Sequence, residues 1–183
     1  MFEAHDFHKY DASDYRHIDD KFGYLNDNIN LEETLDTITW KWTKTDKLFL
    51  EFLQLAHKNG IKVILDGVFN HTGRKFWAFQ DILKNGMASE YKGWYNIQDF
   101  GPPVKVEGWA GGDGLPCFTE DDAGIVSGPK EHIFEITRRW MDPNGDGDPA
   151  DGIDGWRLDV PGDVNKKFWQ DWRKLVKSIS AKN

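Results

Sequence analysis

A helix that runs directly into a short apolar strand is the feature that most constrains how this chain can fold. The helix begins near Asp46, a plausible N-cap, and ends at Asn59-Gly60. Its apolar residues recur at helical spacing: Leu48, Phe52, Leu55 and Ala56. Residues 61–68 follow at once as a nearly continuous apolar run, typical of a parallel strand that is covered on both faces. Together these elements predict half of a βαβ unit.

The same alternation of strands and helices extends to both sides of this unit. Residues 1–23 have the pattern of a strand end followed by a long polar loop. Downstream, a helix is predicted from Pro129, a short strand over residues 155–160, and a last helix capped by Asn165. The apolar stripes of these helices are Ile133, Ile136 and Trp140, and then Phe168, Trp172, Leu175, Val176 and Ile179. This order predicts an α/β fold of parallel strands with helices outside.

Residues 72–128 interrupt the alternation. One short helix is predicted over residues 75–84, and the rest is rich in glycine, proline and aromatic residues. Such a stretch is too long for a plain connection in a compact domain, so we interpret it as a small subdomain inserted after the strand at 61–68. The chain is accordingly divided into residues 1–71, the inserted residues 72–128, and residues 129–183.

Charged residues stand at the carboxyl ends of two predicted strands, where parallel α/β folds carry their sites. Arg157 and Asp159 are two residues apart, so their side chains point to the same face of a strand. An aspartate held by a guanidinium is a preorganised anion, which suits a nucleophile that must stay ionised. A structural ion pair at a strand end is the alternative. Asp66, Asn70 and His71 occupy the end of the other strand.

The composition favours an uncharged ligand. The formal net charge of −8 argues against nucleic acid or an anionic membrane as a partner and suits a neutral substrate such as a sugar. No apolar run is long enough to span a bilayer, and the first residues lack the basic region and apolar core of a signal peptide. We therefore expect a soluble protein whose compartment stays open. The single cysteine, Cys117, excludes an internal disulfide bond.

An acidic loop before the strand at 155–160 matches the first half of an EF-hand loop, although Ile153 stands where the closing glutamate belongs. Its candidate Ca²⁺ ligands are Asp142, Asn144, Asp146 and Asp148. A solvated loop rich in Asx turns is the alternative. A second candidate metal site, His5 and His8 with Asp6, lacks a third ligand at suitable spacing. Nothing in the sequence indicates an organic cofactor.

Two stretches resemble the first and second signature regions of the α-amylase family of glycoside hydrolases. They are Asp66-Gly67-Val68-Phe69-Asn70-His71 and Gly155-Trp156-Arg157-Leu158-Asp159, and they are most similar to the neopullulanase and cyclomaltodextrinase branch. Phe2-Glu3-Ala4 and His8-Lys9-Tyr10-Asp11 resemble the loop after that family's second barrel strand. The resemblance runs nearly end to end. It implies a partial TIM (β/α)8 barrel, about strands two to four with their helices, that carries the inserted subdomain after the third strand.

The family's residue roles transfer to the matching positions. The resemblance implies that Asp159 is the nucleophile of a retaining hydrolase and that Arg157 keeps it ionised and oriented. It implies that His71 hydrogen-bonds a sugar hydroxyl beside the scissile bond and that Tyr10 stacks on the sugar ring. Asp66 is implied to be a buried supporter that pairs with Arg157 or with its neighbouring loops.

Some positions limit this transfer. Asn70 matches a residue that binds calcium in many α-amylases, although the neopullulanase-like branch often lacks that metal. Leu115-Pro116-Cys117-Phe118-Thr119 departs from the Pro-x-Leu-Asn or Pro-x-Leu-Asp pattern of relatives, so residue roles are not transferred there. Trp94, Tyr95 and Trp109 are candidates for a cleft wall, with core packing as the alternative.

A retaining glycosidase also needs a protonated carboxylic acid about 5–5.5 Å from its nucleophile. The family's acid is a glutamate after the fifth barrel strand, and Glu3, Glu131 and Glu135 do not stand in a matching context. We therefore expect an interior piece of the barrel that is inactive alone. We also expect it to associate with itself or with the missing remainder of the barrel, because strand edges and apolar faces would be uncovered.

The sequence thus predicts part of the catalytic domain of a retaining α-glucan hydrolase, acting on α-glucosidic bonds of starch-type oligosaccharides or cyclodextrins. Three alternatives stay open. They are a transglycosylase of the same family, a non-catalytic carbohydrate- or calcium-binding module, and a metal-dependent hydrolase that uses the histidines and aspartates of the first two motifs.

Overall fold

A computed structural model describes residues 1–28 and 31–180 of the chain. Its strands and helices, in chain order, are β1 (Phe2–Ala4), β2 (Ala12–Ile18), α1 (Lys44–Lys58), β3 (Ile64–Gly67), α2 (Trp77–Asn85), β4 (Ile97–Asp99), β5 (Lys105–Val106), β6 (Glu120–Asp121), β7 (Gly124–Ile125), α3 (Ser127–Met141), β8 (Gly155–Leu158) and α4 (Lys166–Ser180). None of the helices in this part of the chain is long and apolar enough to cross a membrane.

The parallel pairing of β3 with β8 organises the part of the fold that matters for function. The ladder joins Ile64 to Gly155, Leu65 to Trp156 and Asp66 to Arg157. One residue further on, the Asp159 backbone N–H donates to the Gly67 carbonyl oxygen at 3.1 Å. The predicted parallel strands and the helix before the first of them are therefore confirmed, and both strands end at the same edge.

The amino-terminal segment differs from its prediction. Instead of a strand end and a polar loop, β1 and β2 form an antiparallel pair, and β2 is almost entirely buried. A buried strand this polar is stable because its charges are paired: Arg16 binds Asp14 within the strand, and His17 binds Asp46 of α1 and Glu33. β1 pairs with β2 and does not join the β3–β8 ladder. The described residues thus form four separate two-stranded sheets and no closed barrel.

Helix α1 begins two residues earlier than predicted, and its cap is different. Thr43 is the N-cap, and its hydroxyl accepts from the Asp46 N–H while the Asp46 carboxylate accepts from the Thr43 N–H. Asp46 is thus the inner member of a capping box, not the cap. The predicted stop is confirmed, because Asn59 is the C-cap and Gly60 follows with a φ of +72°.

The apolar stripe of α1 faces outward, although its spacing correctly predicted a helix. Leu48, Phe52 and Leu55 are 40%, 51% and 61% exposed; of the predicted stripe only Ala56 is buried, together with Leu53 on the core side. With Phe22, Met1 and Ile18 the exposed stripe lines a groove of about 520 Å³. Helix α1 is therefore held both by Leu53 and Ala56 in the core and by the contact of Asp46 with His17 of β2.

One hydrophobic core connects the helices with the strands. Trp140 of α3 is fully buried, and its indole N–H donates to the Tyr15 backbone carbonyl of β2 at 2.9 Å. The segment 72–128 adds buried residues to this same core: Phe76, Phe79, Ile82, Trp94, Tyr95, Val104, Val106, Phe118 and Ile125. This segment carries α2 and two short antiparallel pairs, β4 with β5 and β6 with β7.

Candidate functional site

Arg157 joins two carboxylates at the open edge of the β3–β8 ladder. Its Nη1 atom donates to Asp66 Oδ1 at 2.8 Å and to Asp159 Oδ1 at 2.7 Å. The arrangement follows from the register, since Asp66 lies opposite Arg157 and Asp159 follows two residues later on the same face. These hydrogen bonds, first with Asp66 and then with Asp159, raise the pKa of Arg157. The guanidinium therefore remains charged.

The exposure of this cluster differs from the prediction for one residue. The Asp66 side chain is 29% exposed, so it supports Arg157 as predicted but is not buried. Asp159 is better covered, at 14%. Within the described residues only Oδ1 of Asp159 accepts a hydrogen bond, and its donor is Arg157. The second oxygen of the carboxylate is therefore available to act on a substrate.

Tyr10 reaches the same cluster from the loop between β1 and β2. The Arg157 guanidinium carbon lies 5.8 Å from the centre of the Tyr10 ring, within the range of a cation–π contact. The other neighbour of the ring is His8, stacked at 6.0 Å. The sequence prediction that placed Tyr10 at the site is consistent with this position.

His71 lies behind the carboxylates, 1% exposed. The Asn70 side-chain amide donates to its Nδ1 atom at 3.1 Å, which leaves the hydrogen on Nε2. Nε2 is buried and has no hydrogen-bond partner; the Tyr10 backbone lies near the ring but does not meet hydrogen-bond geometry. Burial lowers the pKa of His71, partly opposed by Asp159, so the ring is a neutral donor with an unused N–H.

Four contacts of this site had no sequence signal. The Tyr15 hydroxyl lies 2.5 Å from the Val68 carbonyl oxygen and 2.9 Å from that of His71, and it fixes the backbone after β3. The Trp109 ring stacks on His71 at 5.7 Å, and its indole N–H donates to Asp163 at 2.8 Å. The sequence makes Trp109 a candidate for a cleft wall but gives no indication of a role for Asp163.

The acidic loop after α3 uses several of its predicted Ca²⁺ ligands in its own turns. Asn144 accepts from the Asp146 N–H, Asp146 from the Asp148 N–H, and Asp142 Oδ2 from the Gly147 N–H. Two oxygens, Asp142 Oδ1 and Asp151 Oδ1, are buried without a partner. Burial raises the pKa of Asp151. These two unpaired oxygens fit a bound cation, whereas the Asx turns alone do not require one.

Two groups of metal-binding side chains converge among the described residues, and neither includes the acidic loop after α3. Asp6 and His8 acquire a third member, Asp11, although the sequence had suggested none. Both Asp11 carboxylate oxygens accept from the Asp6 N–H, at 3.2 and 3.0 Å. The second group, Asp14, His17 and Glu33, is already neutralised by Arg16, so it does not suit a cation.

Glu3, Glu131 and Glu135 do not belong to the Asp159 cluster. Glu3 lies in β1, where burial, followed by repulsion from Asp14, raises its pKa to about 7. This value suits a general acid, but the charged neighbours of Glu3 are Asp14, His17 and Asp20, and not the Arg157 cluster. Glu131 and Glu135 lie on α3, as predicted. The raised pKa of Glu3 therefore belongs to the buried charges of β2.

Comparisons with known proteins place this arrangement in context. The profile of the α-amylase catalytic domain matches residues 35–116. Neopullulanase 2 from Thermoactinomyces vulgaris is 35% identical over 98% of this chain and 26% of its own length. A cyclomaltodextrinase from Geobacillus thermopakistaniensis is 34% identical over 98% of this chain and 26% of its own length.

Two solved structures of related enzymes are also similar to this chain. A cyclic α-maltosyl-(1→6)-maltose hydrolase from Arthrobacter globiformis in complex with maltose superposes with a TM-score of 0.76, at 30% identity, over 99% of this chain and 35% of its own. A debranching enzyme from Nostoc punctiforme has a TM-score of 0.75, at 34% identity, over 98% of this chain and 32% of its own. The chain thus spans about a quarter of the length of the curated relatives it matches and about a third of the solved ones. These neighbours identify the fold as a partial TIM barrel.

Proposed function

The chain belongs to the α-amylase family of glycoside hydrolases, in its neopullulanase and cyclomaltodextrinase branch, and we propose that it supplies the nucleophile side of the active site of a retaining α-glucan hydrolase. The observation that carries this proposal is the Arg157 guanidinium held between Asp66 and Asp159 at the shared end of two parallel strands. It fixes one oxygen of Asp159 and keeps a positive charge beside it.

The proposed chemistry begins with attack of the free Asp159 oxygen on the anomeric carbon. The glycosidic bond breaks, and its oxygen leaves with a proton from a general acid. Water then hydrolyses the glycosyl ester on Asp159. The family's acid is a glutamate after the fifth barrel strand, and Glu3, Glu131 and Glu135 do not stand in that context, so we propose that the acid lies outside this chain. The chain alone would then leave ordinary glucans intact.

The proposed substrate is a starch-type oligosaccharide or a cyclodextrin. The names of the related neopullulanase and cyclomaltodextrinase indicate this class. Two features of this chain support a sugar ligand: the His71 Nε2–H is an unused buried donor, which a hydroxyl would satisfy, and Tyr10 offers an aromatic ring beside Arg157.

An activated substrate tests the proposal without the missing acid. Fluoride leaves α-maltosyl fluoride without being protonated, so attack by Asp159 needs no acid, whereas release of the sugar from the ester still needs a base. We expect a burst of about one fluoride per chain that then stalls, because the covalent intermediate accumulates. Maltotriose should remain intact under the same conditions.

Two variants make this test specific. Asp159→Asn should abolish the burst, while Asp122→Asn, an equally conservative change at an exposed aspartate, should retain it. A burst of the same size in Asp159→Asn would show that another group attacks the sugar. Steady hydrolysis of maltotriose by the unmodified chain would show that the chain contains its own acid.

A further inference from the structure

Trp109 lies against His71 in a way that the proposed chemistry does not use. Its ring stacks on the imidazole with 5.7 Å between ring centres and an angle of 27° between the planes. The indole N–H donates to Asp163 Oδ2 at 2.8 Å. Asp163 follows Asp159 by four residues, so Trp109 connects the segment 72–128 with the loop after β8. Yet Trp109 remains 38% exposed, unlike a core tryptophan.

The loop around Trp109 is tightly constrained. Ala110 has a φ of 56° and a ψ of 24°, a left-handed conformation that residues other than glycine seldom adopt. A Cβ added to Gly108 would lie 1.8 Å from the Gly112 carbonyl oxygen. The Trp109 N–H donates to the Leu115 carbonyl oxygen at 2.9 Å. Strained backbone persists where the surroundings enforce it, often beside functional groups, and here it presents a single exposed indole.

The hydrogen bonds of His71 do not by themselves fix the orientation of its ring. Its Nδ1 atom has one hydrogen bond, to Asn70, and a single bond does not prevent the ring from tilting about that contact. Nε2 has no partner at hydrogen-bond geometry, although the Tyr10 backbone lies near the ring, so the direction of its N–H is only weakly fixed. The Trp109 ring covers one face of the imidazole, which removes the tilt and excludes water from that face.

We propose that Trp109 is a positioning residue for His71, anchored by Asp163, so that the segment 72–128 completes the sugar site through this one side chain. The role of His71 as a sugar ligand rests on the function proposed above. The stacking of Trp109 and its effect on the imidazole do not depend on that function. Trp109 acts through His71 and takes no part in bond breaking.

The pKa of the His71 imidazole can be used to measure its contact with Trp109. Burial lowers the pKa of His71; Asp159 and Asp163 act in the opposite direction, and His8 acts in the same direction as burial. In Trp109→Leu, water reaches the ring, and the pKa of His71, measured by NMR titration of its ring C–H signal, should rise towards its ordinary value. Trp109→Phe preserves an aromatic face and should keep the pKa low. Phe52→Leu, which changes an exposed aromatic residue of α1, is the control and should change nothing.

Two variants of Asp163 test the hydrogen bond that it accepts from the Trp109 indole N–H. Asp163→Asn and Asp163→Ala remove the same charge, but only asparagine still offers an oxygen to the indole N–H. The pKa of His71 should therefore be higher in Asp163→Ala than in Asp163→Asn, and the Trp109 indole N–H signal should shift only in Asp163→Ala. This pair and Trp109→Phe carry the test if Trp109→Leu does not fold.

The sugar reaction gives a second readout. The α-maltosyl fluoride concentration that gives a half-maximal burst rate should rise about three- to tenfold in Trp109→Leu and remain nearly unchanged in Trp109→Phe. The proposal is overturned if His71 titrates alike in Trp109→Leu and Phe52→Leu, or if the two Asp163 variants do not differ. If His71 responds as expected but the unmodified chain gives no burst, the proposed function fails and the positioning role stands.

Discussion

Asp66 and Arg157 face each other across the β3–β8 ladder, and the Arg157 side chain donates to Asp66 Oδ1 at 2.8 Å. This cross-strand contact matters because the same Nη1 atom also holds Asp159. Asp66 on β3 and Arg157 on β8 thus fix the orientation of Asp159. The position of the proposed nucleophile is determined by strand register and not by a flexible loop.

Asp66→Ala should impair the reaction far more than the stability. Without its second acceptor, Arg157 can swing away from Asp159, and such misplacement lowers rates by about 10²-fold. The pair is partly exposed, so the free energy of unfolding should change little. The fluoride burst rate and urea unfolding measure the two effects, with Asp122→Ala as the control. A normal burst rate in Asp66→Ala would contradict the supporting role of Asp66.

His132 should make the protein sensitive to acid. It is completely buried among aromatic rings, and burial lowers its pKa to about 3. Between the ordinary pKa of about 6.5 and that value, the unfolded state binds a proton that the folded state does not, so stability falls by up to ~1.4 kcal/mol per pH unit as the pH decreases. Urea unfolding from pH 7 to pH 4 should show a flatter dependence in His132→Phe. The exposed His5→Gln should behave like the unmodified chain.

His17 should produce the opposite dependence at high pH. Burial opposes its charge, but hydrogen bonds to Asp46 and Glu33 prevail and raise its pKa to about 9. The resulting stabilisation is fully present below the ordinary pKa of about 6.5 and is lost as the pH rises through about 9. His17→Gln should therefore cost about 3–5 kcal/mol at pH 6 and clearly less at pH 9.5. An equal loss at both pH values would indicate that the ring charge contributes nothing.

Ca²⁺ should change which of two proteins, the unmodified chain or Asp151→Asn, unfolds at the higher temperature. In EDTA, Asp151→Asn should unfold at the same temperature as the unmodified chain or at a higher one, because it removes a negative charge that burial and the neighbouring Asp142 disfavour. At Ca²⁺ concentrations about 100-fold above Kd, binding would stabilise the unmodified chain by ~2.7 kcal/mol, or about 5 °C or more in Tm. The variant should gain less. No change in Tm for either protein would mean that the loop after α3 is held by its Asx turns alone.

The groove on α1 should drive association. Phe22, Phe52 and Leu55 are each more than half exposed in one patch, which is unusual for an isolated soluble domain. We propose that it is covered by another copy of the chain or by the rest of a barrel. Sedimentation velocity should show concentration-dependent oligomers that Leu55→Glu dissociates, whereas Ile38→Glu, exposed but outside the groove, has no effect. Monomers at every concentration would argue against this role.

The sequence predicted the parts of the fold that depend on local pattern and register. An apolar run after a glycine stop predicted β3, and two charged residues at a spacing of two predicted the face shared by Arg157 and Asp159. Because parallel strands end at one edge, Asp66 could be placed beside them.

The remaining features depend on contacts between distant residues, which no local pattern reveals. β2 was interpreted as loop because its charges look solvated, whereas they are paired with Asp46 and Glu33. The spacing of the α1 stripe predicted a helix but not the direction in which Leu48, Phe52 and Leu55 face, and the core side is the one that carries Asp46. Trp109 could not be placed at His71 because the approach depends on the backbone conformation at Ala110.

The most direct measurement is the mass of the chain after reaction with α-maltosyl fluoride, followed by identification of the modified peptide. The mechanism predicts one maltosyl group per chain, attached through an ester to Asp159, and no adduct in Asp159→Asn. A maltosyl group on any other residue, or an adduct that persists in Asp159→Asn, would contradict the assignment of Asp159 as the nucleophile.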